Sequence, residues 1–461
     1  MKNKSYSALA LAVLLAMPAV EAAGLRQSIA ESIDDNPVVK RALKSYQAVS
    51  EEVRAAEGGY YPTVDATLGY GYEWTKTGTN SDEELNRREV RLNVNQMIFD
   101  GGATTAEVER QEARMRSAMA NLQDVSEDYV LEAGRAYLEL LRREQLLNSA
   151  NETLLNHVRI YEQIKRRSES GMGSLSAIQQ AEGRLALAEV NALAAENNMR
   201  DAKANYERIY GMAPEDNLEP VDAMIAPLPE SLDAAHQQTT ESHPVMAVAQ
   251  ADIEAAISQR EAAESRMYPR LDLEIERRWD DNLDGQPGPN EDLTAMLRLR
   301  YNLYNGGEDS ARIRRSEHQL GEAQAIQRDA LRQARQSLEL SWNAYEILGR
   351  QMEFLSEHLS ASEKTRDAYQ KQFDIGQRTL LDLLDTENEV FSARNQLVEA
   401  QIDHQIAQMR VLNATGSLMS SLEIPLPQPV VEDEDPAMMP DDSSQEGMDG
   451  QMAEPGETAK S

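Results

Sequence analysis

The sequence predicts an α+β membrane protein made by tandem duplication, with four transmembrane β-strands set between very long α-hairpins. Three observations predict it. Landmarks recur at a fixed offset: Trp74 meets Trp279, Gly171 meets Gly376 and Gly211 meets Gly416, each 205 residues on. Four segments alternate between apolar and polar residues, the period of a strand with two unlike faces. Two stretches of ~68 residues lack proline and carry apolar residues three and four apart, the pattern of single helices about 100 Å long.

Composition narrows the classes further. The 461 residues hold 79 Asp+Glu against 46 Lys+Arg, a net charge of −33, with 4 Phe, 3 Trp and no Cys. Disulfide scaffolds and cysteine zinc sites are excluded. Nucleic-acid binding, which runs on clustered Lys and Arg, is not expected. Few aromatic residues suit long helices packed through Ala, Leu and Val.

At the N-terminus, Lys2 and Lys4 precede the apolar run Ala8–Met17, and Val20-Glu21-Ala22 offers a small-residue cleavage site. Residues 1–22 read as a secretory signal peptide, since the run falls short of the ~20 residues of a membrane span. No Cys follows to carry a lipid. The first repeat occupies 23–218, a Pro-rich connector 219–231, and the second repeat 232–424. Asn36-Pro37 and Tyr61-Pro62 recur as His243-Pro244 and Tyr268-Pro269, both 207 residues later.

In the first repeat, residues 25–58 read as helix broken near Asn36-Pro37. A β-hairpin is expected over 60–99. Val64, Ala66, Leu68, Tyr70, Tyr72 and Trp74 share one face, with Asp65 and Glu73 on the other, and 90–98 repeats the alternation around Arg91. The second repeat places its hairpin at 268–304, where Leu271, Leu273 and Ile275 oppose Asp272, Glu274 and Glu276, and Leu297 and Leu299 oppose Arg298 and Arg300. Polar loops are expected at 75–89 and 280–292. Pro62 and Pro269 open the hairpins. Gly101-Gly102 and Gly306-Gly307 close them, because glycine permits the sharp change from strand to helix. Long helices then fill 103–210 and 308–415, each turned back on itself, at Ser170–Ser174 and at Gly376.

Strands of this length, apolar on one face and aromatic near their ends, suit an outer-membrane barrel as well as a soluble core. One chain supplies four strands. An open edge in lipid is not tolerated and the smallest usual barrel has about 8 strands. Two copies give eight and three give twelve; the pattern does not choose. The tail from Pro425 is Pro-rich, then acidic and aperiodic, with ten Asp/Glu and one Lys over 430–461, and is expected to be disordered. The histidines are scattered and no nucleophile or phosphate loop has a local signature, so neither an enzyme nor a cofactor or metal site is expected.

The duplicated plan, the Tyr-Pro before each odd strand, the Asp/Asn-Gly-Gly after each even strand, and the stretch Gly376-Gln377-Arg378-Thr379-Leu380-Leu381-Asp382-Leu383-Leu384-Asp385 together resemble the TolC family of outer-membrane factors over about residues 25–424. The resemblance implies a homotrimer with a twelve-stranded β-barrel in outer-membrane lipid, continued by an α-helical tunnel across the periplasm. It implies a periplasmic adaptor (membrane fusion) protein and an inner-membrane transporter, of ABC type, as partners. It implies that Asp382 and Asp385, three apart and so on one helix face, ring the periplasmic end as a cation-attracting constriction, and that Arg378 latches it. Phe373 and Ala177 stand where the family's latch has Tyr and Asp. Gly171, Gly173, Ser174, Gly376 and Thr379 match tips that adaptors grip. Asp65, Glu73, Arg91, Asp272, Glu274, Glu276, Arg298 and Arg300 would line the barrel lumen. The function implied is an exit duct for type I protein secretion. The alternative inside the family is a drug or small-molecule efflux duct. The alternative outside it, a periplasmic coiled-coil scaffold or adaptor, leaves four lipid-compatible strands unexplained.

Overall fold

The structure, a computed structural model, describes residues 24–76, 83–171, 174–215, 218–221 and 227–428. The expected signal peptide, Gly173, parts of the first hairpin loop and of the connector, and nearly all of the acidic tail lie outside the described residues.

Each half opens with two helices, α1 (Leu25–Ile33) and α2 (Pro37–Glu57) in the first, α5 (Leu232–Ser242) and α6 (Pro244–Glu264) in the second. Proline at the first helical position explains the break, because its missing N–H has no intrahelical partner to lose. The Asn36 side chain accepts from Val38 N–H at 2.9 Å and caps α2. His243 does the same for α6, its Nδ1 accepting from Val245 N–H at 3.2 Å.

Strands β1 (Thr63–Thr75), β2 (Glu83–Phe99), β3 (Arg270–Leu283) and β4 (Gln286–Arg300) form one antiparallel sheet in the order β1-β2-β3-β4. Pairing of β2 with β3 joins the halves: Val94 faces Ile275 and Val90 faces Trp279. β1 and β4 are the edges.

The sheet departs from expectation in two places. The polar stretches read as loops are largely strand. β2 begins at Glu83, and β3 and β4 run to a two-residue turn at Asp284-Gly285, with φ of 53° and 74°. Asp-Gly is the pair that a hairpin turn with two positive φ values demands. The charges of that stretch pair on the sheet, as in Arg277 with Glu291 at 2.7 Å. The second departure is the end of β4. A strand to Tyr304 was expected, but the sheet stops at Arg300, whose partner Arg270 is the first residue of β3. Residues 301–304 therefore have no neighbour to pair with, and Leu303 and Tyr304 are 87% and 86% exposed.

The long helices are α3 (Ala103–Glu169), α4 (Leu175–Tyr210), α7 (Glu308–Asp374) and α8 (Leu380–Ala414), with a short turn of helix, α9, at Leu418–Ser421. Two of them have 67 residues, about 100 Å each. Gly101 shows why the strand-to-helix junction needs glycine. Its φ is 74°, and a Cβ there would sit 2.6 Å from the Ser265 carbonyl oxygen. Asp100 then holds the first turn of α3, accepting from Gly102 N–H at 3.0 Å and Thr104 N–H at 2.8 Å. The main core joins Ile29 and Ile33 of α1, Leu122, Tyr137 and Leu140 of α3, Tyr206 and Tyr210 of α4, Met409 and Leu412 of α8 and Leu418 of α9.

Candidate functional site

Two regions carry the arrangement: the sheet, and the turns at the far ends of the long hairpins.

The strand register sorts the sheet into two unlike faces, since directly opposed residues share a face. Val64 opposes Val94, Leu68 opposes Val90, and Leu273 opposes Leu297. Toward the Tyr61 end this face is apolar, and among the described residues it meets no other layer: Leu68 is 78% exposed and Leu297 64%; toward the hairpin turns it also carries Arg88, Arg277 and Glu291. The other face gathers the eight expected lumen residues. Glu73 pairs with Arg87 at 2.9 Å. Arg91 stands opposite Arg278 and lies 3.8 Å from Glu89. Asp272 is fully buried beneath Arg270 at 2.9 Å and Arg300 at 2.6 Å. Glu274 receives Arg298 at 2.7 Å and also pairs with Arg300. Glu276 pairs with Arg278, and Asp65 lies opposite Asn93. Sequence reasoning missed Arg87, Glu89, Arg270 and Arg278, which the same two-residue period places on this face.

Pro62 and Pro269 directly precede β1 and β3, where a missing N–H costs no ladder bond. Around this end of the sheet Tyr61, Tyr268 and Tyr301 are exposed at 70%, 58% and 54%. Trp74 and Trp279 lie on the apolar face near the opposite end.

At the far turns, Gly171 and Gly376 end α3 and α7 with φ of 79° and 77°. Ser174 starts α4, accepting from Ala177 N–H at 3.2 Å. Thr379 starts α8 in a capping box with Asp382. Asp382 N–H donates to the Thr379 hydroxyl oxygen at 3.3 Å, and Thr379 N–H donates back to the Asp382 carboxylate at 3.2 Å. The Thr379 hydroxyl and N–H, with Arg378 at 3.8 Å, hold the Asp382 carboxyl below the usual carboxylate range. The Thr-x-x-Asp spacing was a legible signal for this cap.

Arg378 stays on its own hairpin. Its guanidinium lies 4.1 Å over the Tyr369 ring, and its Nε donates to Gln372 at 2.9 Å. Tyr369, one turn before Phe373, was not anticipated. Phe373, expected at the periplasmic gate, packs between the two hairpins. It is 4% exposed, inside a cluster with Ile160, Ile164, Ala181, Leu383 and Leu384, with Ala177 packed alongside. Its ring fastens one hairpin to the other. Asp385 also reaches across, to Arg184 of α4 at 2.9 Å. These contacts join different hairpins, so the period of a single helix carries no signal for them.

Comparison with known proteins fits this geometry. Residues 29–212 and 235–417 match the family described as Outer membrane efflux protein. The outer membrane efflux protein BepC of Brucella suis is 25% identical over 396 residues, covering 86% of this chain and 85% of its own. The proteases secretion protein PrtF of Dickeya chrysanthemi is 24% identical over 443 residues, covering 89% and 92%. A solved structure of CusC, described by its transmembrane channel formation, superposes with a TM-score of 0.76 at 16% identity, over 87% of this chain and 96% of that one. The chain belongs to the outer membrane efflux protein family, and is an outer-membrane channel protein with a long helical periplasmic portion.

Proposed function

We propose that three copies of this chain close a twelve-stranded barrel in the outer membrane, continued by an α-helical tunnel. The trimer serves as the exit duct of a tripartite export system for type I protein secretion. The observation that carries the assembly is the sheet: one face is largely apolar with no covering layer among the described residues, and β1 and β4 each lack a second neighbour. Lipid does not tolerate open edges, so β4 of one copy pairs with β1 of the next until the ring closes. The polar face then lines a wet lumen. The partners are a periplasmic adaptor, gripping the turns around Gly171, Ser174, Gly376 and Thr379, and an ABC-type inner-membrane transporter that supplies the energy. Asp382 and Asp385 ring the periplasmic end and attract cations.

The secretion route draws on the similarity to PrtF, whose name assigns it to protease secretion. A second reading, small-molecule efflux, draws on BepC, which is named for efflux. The test compares culture-supernatant proteins with and without this gene, and scores dye and detergent sensitivity on the same strains. Loss of one or a few large secreted proteins is expected. An unchanged supernatant with new dye sensitivity would replace secretion by efflux.

A further inference from the structure

We propose that the seam between one copy of this chain and the next repeats the register of the seam between its own two halves, with Phe354 of α7 seated on Val190 of the next copy's α4 as its apolar anchor. This rests on the reading of the chain as one member of a closed ring.

The halves correspond in detail. α3 and α7 both have 67 residues and start 205 residues apart, as do α4 and α8. In the hairpins Thr63 faces Asn95 and Arg270 faces Arg300, so β3 follows β1 by 207 residues and β4 follows β2 by 205. The inner joint pairs β2 with β3. There Val94 faces Ile275, Leu92 faces Arg277 and Arg88 faces Asp281. Carried across an outer joint, the same offsets set β4 on β1 of the next copy. Leu299 then faces Leu68, Leu297 faces Tyr70 and Leu293 faces Trp74. All six side chains are aliphatic or aromatic, although two of the three parent pairs are charged. A shift of one residue would set each against the polar face. The register also gives Tyr301 and Asn302, beyond the last paired residue of β4, Ala66 and Asp65 as neighbours.

In the long helices the inner joint is α3 against α8, and it is polar. Ser149 bonds Asn395 at 3.0 Å, Arg142 pairs with Asp403, and Arg394 with Glu152. The outer joint sets α7 against α4 of the next copy, and the same places hold other chemistry. Ser149 and Asn395 correspond to Phe354 and Val190, which are 68% and 60% exposed in the single chain. Leu340, Ile347 and Phe354 stand seven apart on one face, the spacing of a coiled-coil seam. Leu187 and Leu193 flank Val190, and all of these are exposed. Glu152 and Arg394 correspond to Glu357 and Glu189, two acids. Ion pairs hold the inner joint. Apolar contacts hold the outer one, beside a like-charge pair.

The chain has no cysteine, so pairs can be introduced into the full-length protein without background. Opposed residues of an antiparallel pair lie close enough for a disulfide. Within one copy β2 and β3 separate β1 from β4, which is too far to bridge. Outer-membrane fractions are oxidised with copper phenanthroline and run on non-reducing gels. Gly69→Cys plus Arg298→Cys, on the polar face, is expected to give a covalent ladder ending at three chains, and so is Val190→Cys plus Phe354→Cys. Arg298→Cys with Thr67→Cys or Gly71→Cys, two residues out of register, should cross-link several-fold less. Glu357→Arg should raise the temperature at which the heat-modifiable trimer dissociates at low salt, and Glu189→Arg added to it should cancel the gain. These charge variants test the seam even if a cysteine variant fails to assemble. Stronger cross-linking in a shifted pair, or a Glu357→Arg trimer no more heat-resistant than the parent, would overturn the repeated seam and leave the ring standing. A ladder ending at two chains would keep the seam and overturn the ring of three. Folded single chains with no link in any pair would overturn both.

Discussion

Glu127 is a carboxylate buried in the middle of α3, 3% exposed. Its two oxygens accept from Met419 N–H at 3.3 and 3.2 Å and so hold the short helix that follows α8. Burial pushes its pKa up to about 7, and that of Asp124, beside Asp128, up to about 6. With a folded pKa above the unfolded one, the folded chain binds more protons. The stability from Glu127 is fully present below about pH 4.5 and is lost as pH rises through about 7, on the order of 3 kcal/mol in all. His243 runs the other way. Burial lowers its pKa, so its contribution is present above the unfolded value and is lost as pH falls. Glu127→Gln keeps an oxygen for Met419 and removes the charge. Melting followed by circular dichroism should show the variant changing less than the parent between about pH 5 and pH 8, and melting higher at the alkaline end. Equal slopes would show that Glu127 does not titrate in this window. Nothing in the sequence marked this residue, because Glu on a long helix is ordinarily solvated, and its burial comes with packing such as that of α9 against α3.

Among the elements, helices were the most legible. Unbroken periodicity over 103–170 and 308–374 fixed α3 and α7 to within a residue, since the glycines that flank them leave little freedom. Strands were read short wherever charge fell on both faces, as at Arg87 and Arg88 and at Asp280 and Asp281, because alternation is the only local signal of a strand. The Asp284-Gly285 turn was there to be read. The packing of one helix on another was not. Gly134, the one glycine inside α3, shows why. A Cβ there would lie 2.0 Å from Cε and 2.7 Å from Sδ of the fully buried Met409, so the residue is small to let α8 cross. Gly183, inside α4, faces open space. Gly183→Ala should therefore stabilise by about 0.8–1 kcal/mol, the helix-propensity difference. Gly134→Ala gains the same propensity and incurs about 1–3 kcal/mol of overpacking, for no net gain or a loss. Denaturant midpoints of the two variants decide it, and a stabilised Gly134→Ala would show that Met409 yields freely.

For the whole molecule, the decisive question is which medium the two sheet faces meet. A face as exposed as that of Leu68, at 78%, would drive aggregation in water, whereas in lipid it is the face that should be apolar. Leu68 lies midway along β1, between Tyr61 at one end and Trp74 at the other, and so falls near the middle of the hydrocarbon layer if the aromatic residues mark its borders. An arginine on a barrel's lipid face at that depth costs about 2–4 kcal/mol, while a lumen-facing one is hydrated. Thr67 is its neighbour on the opposite face, across from Arg91. Leu68→Arg is expected to cut the amount of heat-modifiable trimer in outer-membrane fractions sharply, since the proposed trimer would meet the cost three times per barrel. Thr67→Arg, the same charge one residue away, should assemble at close to the parental level and shift ion selectivity toward anions. The pair separates the barrel from a soluble sheet. On a solvated sheet both arginines would be tolerated alike, and in a covered core Leu68→Arg would abolish folding without regard to the membrane. Loss of trimer at Leu68 alone, with normal amounts of unassembled chain in the periplasm, is the outcome that only a lipid-facing surface produces.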